Sequence, residues 1–368
     1  MLGLYGMPLP QLHFTGFETA FGEIAPRLVA AGHDVTIYCR AGQYPPALRV
    51  KEYKGVRLRY VPSPGGKNLS GLVATLFASL HALALGRYDI FFFVNVGMGH
   101  HAALCRILGA RVVMNVDGLD WKRAKWGPLA RAYFRSAAYS AIRFCNRLIT
   151  DAEAMRKIYL EDFHKETVMI AYGAYVESSE NPDLVRQFGT EPDDYYLIAS
   201  RLIPENHADL IILAFLASGT SKQLVIAGGA NYESPFHRRL RELATDRVIF
   251  TGHIHNQGVI KELHCNCFAY VHGHSVGGTN PSLLKAMGYG NCILALDTVF
   301  NREVLADSRL FFPKDEQKLA QLMQLVESDP RLVDELRRKG PERVEKEYSW
   351  DKVSDQYDRL FSEVASDA

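Results

Sequence analysis

Short apolar runs alternate along the whole chain with longer segments that have helical periodicity. Because most of these runs are apolar on both faces, the pattern predicts parallel strands covered by helices on both sides. It gives two series of about six strands, and therefore two doubly wound α/β domains. The predicted strands are residues 34–40, 56–62, 88–96, 111–118, 147–152 and 167–173 in the first series, and 195–200, 222–229, 247–252, 267–273, 291–297 and 309–312 in the second.

A polar segment separates the two series. Residues 177–194 carry proline and glycine among charged and small polar residues, which is typical of a domain junction. We therefore predict one domain over residues 1–176 and a second over residues 177–348. Residues 349–365 have apolar side chains at the spacing of an amphipathic helix, which predicts a helix that packs on another element.

The start of the chain is short for this kind of fold. Only Met1-Leu2-Gly3-Leu4 precede the first loop, although the first strand of a doubly wound sheet is normally central. Loss of a central strand would leave backbone groups of its neighbours unpaired. We expect either that residues are missing upstream of Met1 or that the first sheet is compromised.

The composition is that of a globular protein. The chain has 368 residues, of which 48% are hydrophobic and 23% charged, enough for two domains of ordinary size. No stretch reads as a spanning helix or as a cleavable signal. Six scattered cysteines favour a reducing cytoplasm, and no cluster of ligands predicts a metal site or a bound cofactor.

Charge divides unevenly along the chain. Residues 1–175 contain 21 Lys and Arg against 12 Asp and Glu, a net +9, and the remainder contains 21 against 29, a net −8, which together make the overall +1. A basic half suits nucleic acid or an anionic membrane. Since no nucleic-acid module is recognisable, the surface of a membrane is the better expectation, and the predicted location is cytoplasmic with peripheral attachment.

Two candidate loops belong to the first series. Gly16, Phe17 and Glu18 begin a helix, where the glycine permits close approach and the carboxylate could accept hydrogen bonds from sugar hydroxyls; the alternative is an acidic first turn that stabilises the helix. Asp117 ends a predicted strand.

The strand of Asp117 is followed by Trp121, Lys122 and Arg123. Basic residues interleaved with tryptophan could form an acceptor platform or a membrane-interface patch. The alternative is a solvated basic helix with its tryptophans packed inward.

Two further loops belong to the second series. Arg201 ends a predicted strand and could clamp a diphosphate, unless it pairs with Glu205 instead. Residues 274–282 run from His274 through glycines into a helix near Pro281, which predicts free amides at Ser282 and Leu283 for a phosphate. His274 could contact substrate hydroxyls or be structural.

These loops in order resemble the retaining glycosyltransferases of GT-B architecture, the large family that includes sucrose and glycogen synthases. The resemblance covers nearly the whole chain and is greatest to the bacterial rhamnosyltransferase branch. It is carried by "GMP", "TGFET", "LVAAGHDVTIYCR", "NVDGLDWKRAKWG", "MIAYGA", "RLIPEN", "HSVGGTNPSLLKAMGYGN" and "NREVLAD".

The resemblance implies two Rossmann-like doubly wound domains facing across a cleft, with the last helix crossing back onto the first domain. It implies an acceptor site in the first domain and a donor site in the second. Arg201 would contact the diphosphate, and Arg201, His274 and Asp117 are the candidate catalytic residues. The remaining donor-site candidates are Asn206, Gly277, Gly278, Thr279, Asn280, Ser282, Lys285, Tyr172 and Gly173, and the acceptor-site candidates are Gly16, Phe17, Glu18, Trp121, Lys122 and Arg123.

The chain departs from the family pattern at three places. Lys285 replaces a glutamate that accepts hydrogen bonds from the donor ribose in relatives, and an ammonium has no acceptor. Asp120 stands where the branch has glutamate, and the start is short. Gly277 occupies the position of the first of the family's two glutamates, as is usual for this branch, and Lys285 occupies that of the second.

The function implied is transfer of a sugar, with retention and without a metal, from a nucleotide-diphosphate sugar such as dTDP-L-rhamnose. The acceptor implied is a lipid-linked saccharide in bacterial surface polysaccharide or lipopolysaccharide synthesis. The alternatives are an epimerase or phosphorylase of the same architecture, and an inactive or weakened homologue that acts as a binding or partner subunit. A nicotinamide-dependent oxidoreductase is disfavoured, because no predicted strand is followed by the glycine fingerprint.

Overall fold

The computed structural model of the chain describes residues 16–64, 66–86, 88–116, 118–122, 126–229, 234–306 and 308–367. These residues belong to two compact units, one of residues between 16 and 172 together with 350–367, the other of residues between 173 and 349. Both units are α/β with parallel sheets, as the hydrophobic pattern predicts. The predicted first strand falls within residues 1–15, outside the described part of the chain.

The first unit contains two sheets among its described residues. Its helices are α1 (Gly16–Ala30), α2 (Gly66–Leu85), α3 (Gly99–Ile107), α4 (Pro128–Phe144) and α5 (Glu153–Phe163), and its strands are β1 (Thr36–Arg40), β2 (Glu52–Tyr53), β3 (Val56–Val61), β4 (Ile90–Val94), β5 (Arg111–Asn115), β6 (Arg147–Thr150) and β7 (Val168–Met169). One sheet has the order β1-β3-β2, and the other is the parallel sheet β4-β5-β6-β7.

The short strand β2 was not predicted, and it is antiparallel to β3. The two strands are joined by Lys54 and Gly55, which both have positive φ, 49° and 79°. A two-residue turn with this backbone twist matches the twist of a hairpin. Between the described strands, every pairing is therefore parallel except at this hairpin.

In its described residues, the second unit has one sheet of six parallel strands. Its strands are β8 (Tyr195–Ala199), β9 (Gln223–Ala227), β10 (Val248–Gly252), β11 (Ala269–His272), β12 (Ile293–Leu296) and β13 (Phe311–Phe312), and its helices are α6 (Ala208–Ser218), α7 (Pro235–Leu243), α8 (Gln257–Cys265), α9 (Pro281–Gly288), α10 (Val299–Leu305), α11 (Glu316–Ser328) and α12 (Pro330–Glu347). The strand order is β10-β9-β8-β11-β12-β13. The order reverses between β8 and β11, the place at which doubly wound sheets bind ligands beyond the carboxyl ends of their strands.

The last helix, α13 (Trp350–Ser366), packs in the first unit. Its buried side chains recur on one face, and the rings of Tyr357 and Phe361 lie 5.8 and 5.4 Å from the ring of Phe92 in β4. The hydroxyl of Tyr357 also accepts a hydrogen bond from Asn115, at 3.3 Å. The amphipathic pattern at the end of the sequence is thus explained by burial of one face against a strand and α1.

Candidate functional site

The loop after β8 presents Arg201 at the reversal of strand order. The amide Nδ2 of Asn206 donates to the main-chain oxygen of Arg201 at 2.8 Å, and Asn206 itself is buried. This bond fixes the main chain of the loop from the buried side of the unit. The guanidinium of Arg201 is exposed, and within the described residues it makes no ion pair with Glu205 or any other carboxylate. A fixed main chain that carries an unpaired cation is suited to an anionic ligand.

The loop after β11 is tied directly to the loop after β8. Ser275 donates to the main-chain oxygen of Glu205 twice, from its amide at 3.1 Å and from its hydroxyl at 2.9 Å. Gly273 is packed so tightly that a Cβ there would lie 2.3 Å from the main-chain oxygen of Asn206. The loops that follow β8 and β11 therefore pack directly against each other at the reversal of strand order.

Two histidines stack at the end of β11. The rings of His272 and His274 are nearly parallel, at 12°, with centroids 4.3 Å apart. His272 is fully buried, and burial holds its pKa well below the ordinary value. Burial, with the nearby charge of Arg201, lowers the pKa of His274 to about 4. His274 is therefore a neutral imidazole at neutral pH and can accept or donate a hydrogen bond at the reversal of strand order without adding charge.

Lowering the pH below neutrality should destabilise the protein, because His272 and His274 are neutral in the folded state and take up protons when the chain unfolds. A histidine that is neutral in the folded state binds a proton in the unfolded chain below its ordinary pKa of about 6.5, so stability is lost as pH falls from there toward the folded value. We expect each to lower the free energy of unfolding by up to about 2 kcal/mol between pH 7 and pH 5. Thermal unfolding of His272→Phe should therefore depend less on pH than that of the wild type. His255→Phe, at an exposed position, is the control; equal slopes in all three proteins would contradict the assignment.

The start of α9 corrects one expectation. The sequence predicts free amides at Ser282 and Leu283, but Asn280 occupies both: its Oδ1 accepts from the amide of Ser282 at 3.0 Å, and its main-chain oxygen accepts from that of Leu283 at 3.1 Å. The side chain of an N-cap residue saturates the first turn in this way. The amides of Gly277 and Gly278, just before the cap, have no hydrogen-bond partner among the described residues. Among the described residues, the amides without a partner lie in the glycine loop rather than at Ser282 and Leu283.

Lys285 lies on the side of α9 that faces the charge of Glu177 and the ring of His264. Its ammonium makes no hydrogen bond or ion pair with any described residue, whereas its main-chain oxygen accepts from the amide of Tyr289 at 2.9 Å. Burial lowers the pKa of its ammonium, an effect that Glu177 partly offsets. Lys285 is thus held in the protein at an energetic cost, and its charge acts on His264 rather than on the stacked pair His272 and His274.

Replacement of Lys285 by methionine should stabilise the protein at neutral pH. Because burial lowers the folded-state pKa, the unfolded chain holds the proton more strongly, and the charged lysine destabilises the fold until the pH reaches its ordinary value of about 10.4. We expect Lys285→Met to raise the unfolding temperature by about 2 °C at pH 7 and by less at pH 10. Lys346→Met removes an exposed charge from α12 as the control; an unfolding temperature below that of the wild type at pH 7 would show that the ammonium is stabilising.

The remaining donor-site candidates lie in or near this second unit. Thr279 and Gly278 are buried in the loop before α9, and Gly277 has φ +123°, a conformation that favours glycine. Gly173 is buried at the start of the unit. Tyr172 belongs to the first unit, where its ring lies 6.0 Å from that of Phe17.

The acceptor-site candidates in the first unit are largely packed inward. Glu18 is buried in α1, with its carboxylate 3.9 Å from the guanidinium of Arg40. Trp121 packs edge-on against Tyr159 and Phe163, at 6.4 and 5.8 Å. The contacts of Trp121 are those of the inward-packed alternative rather than of an open platform.

Gly16, another acceptor-site candidate, begins α1 and is exposed. Lys122 ends the short 3-10 helix Asp120–Lys122. The side chain of Lys122 and the whole of Asp117 and Arg123 lie outside the described part of the chain.

Two residues that position the site were missed. Asn301 donates from Nδ2 to the main-chain oxygens of His274 and Leu296, at 3.2 and 2.8 Å, and so holds the end of the glycine loop. Gly228 lies after β9 with φ +141°, and a Cβ there would lie 2.0 Å from the main-chain oxygen of Ser200. A glycine pair at the end of a strand was the available signal for Gly228, and the motif "NREVLAD", which begins at Asn301, was the available signal for Asn301.

A search of the described residues for three or more histidine, cysteine or acidic side chains placed to hold a metal ion found no such group. No described helix is long and apolar enough to cross a membrane.

Comparison with known proteins adds independent information. Residues 15–173 match the family model described as a glycosyl transferase 4-like domain, and residues 181–343 match that of the glycosyl transferases group 1. A search of curated proteins found no match.

Several solved structures share the fold at low sequence identity. Sucrose-phosphate synthase from Thermosynechococcus elongatus has a TM-score of 0.81 at 16% identity, over 100% of this chain and 99% of that one. HepE from Anabaena, in complex with UDP, has a TM-score of 0.77 at 16% identity, over 98% of each chain. A glycosyltransferase from Rickettsia africae has a TM-score of 0.75 at 12% identity, over 100% and 98%. With two glycosyltransferase family models in tandem and this shared architecture, the chain belongs to the GT-B glycosyltransferase superfamily.

Proposed function

We propose that this protein transfers a sugar from a nucleotide-diphosphate sugar to a saccharide acceptor, with the donor bound in the second unit. The observation that carries the proposal is the pair of loops that follow β8 and β11 at the reversal of strand order. These loops carry the unpaired guanidinium of Arg201 and the amides of Gly277 and Gly278, which have no hydrogen-bond partner among the described residues. Cationic and amide donors of this kind are suited to a diphosphate.

The reaction breaks the bond between the anomeric carbon of the donor sugar and the diphosphate oxygen, and forms a bond from that carbon to an acceptor hydroxyl oxygen. The hydroxyl proton is released, and the nucleoside diphosphate departs with the bonding electrons. Arg201 and the glycine-loop amides would stabilise the negative charge that grows on the departing oxygen. His274, neutral by burial, would hydrogen-bond the sugar without repelling Arg201.

The finer identity of the substrates rests on the sequence resemblance. We propose dTDP-L-rhamnose as the donor, retention at the anomeric carbon, and a lipid-linked saccharide of the bacterial surface as the acceptor, because the loop sequences resemble the rhamnosyltransferase branch. The excess of basic residues in residues 1–175 supports an anionic acceptor. Two solved structures of similar fold contain UDP-glucose or UDP with glucose, which makes UDP-sugars the first competitors to test.

The direct test is a donor panel with the purified full-length chain. Binding is measured by titration calorimetry with dTDP, UDP and their sugar conjugates, and turnover by release of the nucleoside diphosphate with and without lipid-linked saccharides. We expect one nucleotide to bind and its sugar conjugate to be hydrolysed slowly alone and faster with acceptor. A preference for UDP would overturn the rhamnose assignment only, whereas no binding of either nucleotide would overturn the donor site.

A second candidate, a binding subunit that takes up nucleotide without transfer, is favoured by Lys285. A buried ammonium stands where the resemblance implies a carboxylate that accepts from the ribose. Nucleotide binding without hydrolysis or transfer to any acceptor in the panel would support this candidate. Tighter nucleotide binding by Lys285→Glu would show that the lysine weakens the ribose contact.

A further inference from the structure

In helix α2 of the first unit, small side chains form the buried face and large apolar side chains form the exposed face. Ala74, Ala78 and Ala82 are fully buried, and Thr75 and Ser79 are buried beside them. On the opposite face the exposed fractions are 56% for Leu69, 39% for Leu76, 43% for Phe77 and 48% for Leu80. A helix on the surface of a globular domain normally has the reverse arrangement, with its apolar stripe toward the core.

The exposed side chains form one continuous stripe. Residues 69, 76 and 80 recur at intervals of seven and four, and residues 73, 77 and 84 extend the same face. Four large apolar side chains on one face exceed the scattered exposure that is normal for a protein surface. A stripe of this kind is typical of a surface that binds a membrane or a partner protein.

The charged residues of α2 and of the neighbouring helices α3 and α4 indicate which kind of partner would bind this stripe. Helix α3 lies between α2 and α4: Cys105 of α3 contacts Ser79 of α2, and Gly99 fits so closely that a Cβ would lie 1.9 Å from the main-chain oxygen of Ala137 in α4. The sequences of these three helices contain no aspartate or glutamate. Their basic residues are Lys67, Arg106, Arg131, Arg135 and Arg143.

The arginines of α4 are available to a ligand. Arg131 and Arg135 are exposed and make no ion pair with any described carboxylate. Two large exposed apolar side chains, Ile107 and Leu108, also end α3. A layer that is apolar and cationic, without an acidic side chain on its helices, is complementary to anionic headgroups above an acyl interior.

We propose that the layer formed by α2, α3 and α4 binds the surface of an anionic lipid bilayer, with Leu76, Phe77 and Leu80 inserted at the headgroup boundary. Each inserted apolar side chain removes hydrocarbon from water, and each arginine contributes attraction to the anionic surface. A second copy of this chain would bring the arginines of both copies to the same interface, which disfavours self-association. The inference extends the proposed function, because it names the surface at which a lipid-linked acceptor would be met. Its test uses no sugar donor, so the two can fail separately.

The test is co-sedimentation of the full-length protein with phosphatidylcholine vesicles, with and without phosphatidylglycerol. We expect binding to the vesicles that contain phosphatidylglycerol and weakening of that binding by salt. Phe77→Glu combined with Leu80→Glu should lower the partition coefficient by at least about tenfold, and Arg131→Gln with Arg135→Gln by about fivefold for each charge removed. Leu325→Glu, an exposed leucine of α11 in the second unit, is the matched control and should bind as the wild type.

Circular dichroism and unfolding temperature show whether the variants are folded; all the substituted positions are exposed. Failure of the wild type to bind phosphatidylglycerol vesicles would overturn the proposal. So would equal loss of binding in Leu325→Glu. A dimer of the wild type that becomes monomeric in the Phe77→Glu and Leu80→Glu variant, without vesicle binding by either protein, would assign the stripe to self-association instead.

Discussion

Replacement of Arg201 by alanine is expected to lower the turnover number about 10²- to 10³-fold, the loss typical of removing one donor that stabilises a developing oxyanion. The side chain of Arg201 is exposed at the carboxyl end of β8 and has no carboxylate partner among the described residues, and the bond from Asn206 holds the main chain of Arg201. Because the leaving diphosphate gains charge as the glycosidic bond breaks, the loss should fall mainly on turnover. Steady-state release of nucleoside diphosphate from the donor identified in the panel is the measurement.

Two further variants test whether the loss of turnover depends on the charge and on the shape of the guanidinium of Arg201. Arg201→Lys keeps the charge but not the fork that binds two phosphate oxygens, so its turnover should lie between those of alanine and the wild type. Arg338→Ala removes an exposed arginine from α12, 3.9 Å from Glu342, and should leave turnover unchanged. If Arg201→Ala were to retain at least about half of the wild-type turnover, the guanidinium would have no part in leaving-group departure.

Replacement of Gly228 by alanine is expected to destabilise the protein by about 3 kcal/mol, which corresponds to a fall of about 6–12 °C in the unfolding temperature of the second unit. A Cβ at this position would lie 2.0 Å from the main-chain oxygen of Ser200, and φ of +141° is strained for any residue with a side chain. Either the strand end or the loop that carries Arg201 must move. Donor affinity should therefore fall together with stability.

Gly219→Ala is the matched control for the backbone term. Gly219 has φ +69°, and no heavy atom lies within 4 Å of the position its Cβ would take. Its substitution by alanine should lower the free energy of unfolding by about 1 kcal/mol, which is the strain of an alanine in the left-handed conformation alone. Equal unfolding temperatures for Gly228→Ala and Gly219→Ala would show that the loop after β8 moves without cost, and the close packing would then have no role in holding Arg201.

Much of the fold could be predicted from the sequence, because it follows from local periodicity. A parallel strand is buried on both faces, so its apolar run is uninterrupted, and each such run in the described chain is a strand. Strand β2 could not be predicted, because it has only two residues and so shows no hydrophobic periodicity. The turn that creates it depends on positive φ at Lys54 and Gly55, and lysine is an uncommon residue in that conformation.

The site was predictable at the level of loops and not at the level of atoms. The end of a strand followed by glycines or an arginine can be read from the sequence, and it led to Arg201 and to the loop from His274 to Thr279. The partner of each polar group cannot be read in this way. The capping of Ser282 by Asn280 and the bond from Asn301 to His274 depend on how the backbone turns, and they reassign the free amides to Gly277 and Gly278.

By itself, the sequence determined the class of fold, the order of its strands along the chain and the loops in which charge and glycine collect, because each of these depends on residues close together in the chain. Only the tertiary structure decided that β8 and β11 are neighbours at the reversal of strand order, which places Arg201 beside His274. It also decided which face of α2 is exposed: the helical period shows an apolar stripe, but packing on α3 buried the alanines instead. Burial and pairing between residues distant in sequence are properties of the folded chain, since a side chain's surroundings are set by which elements pack against it.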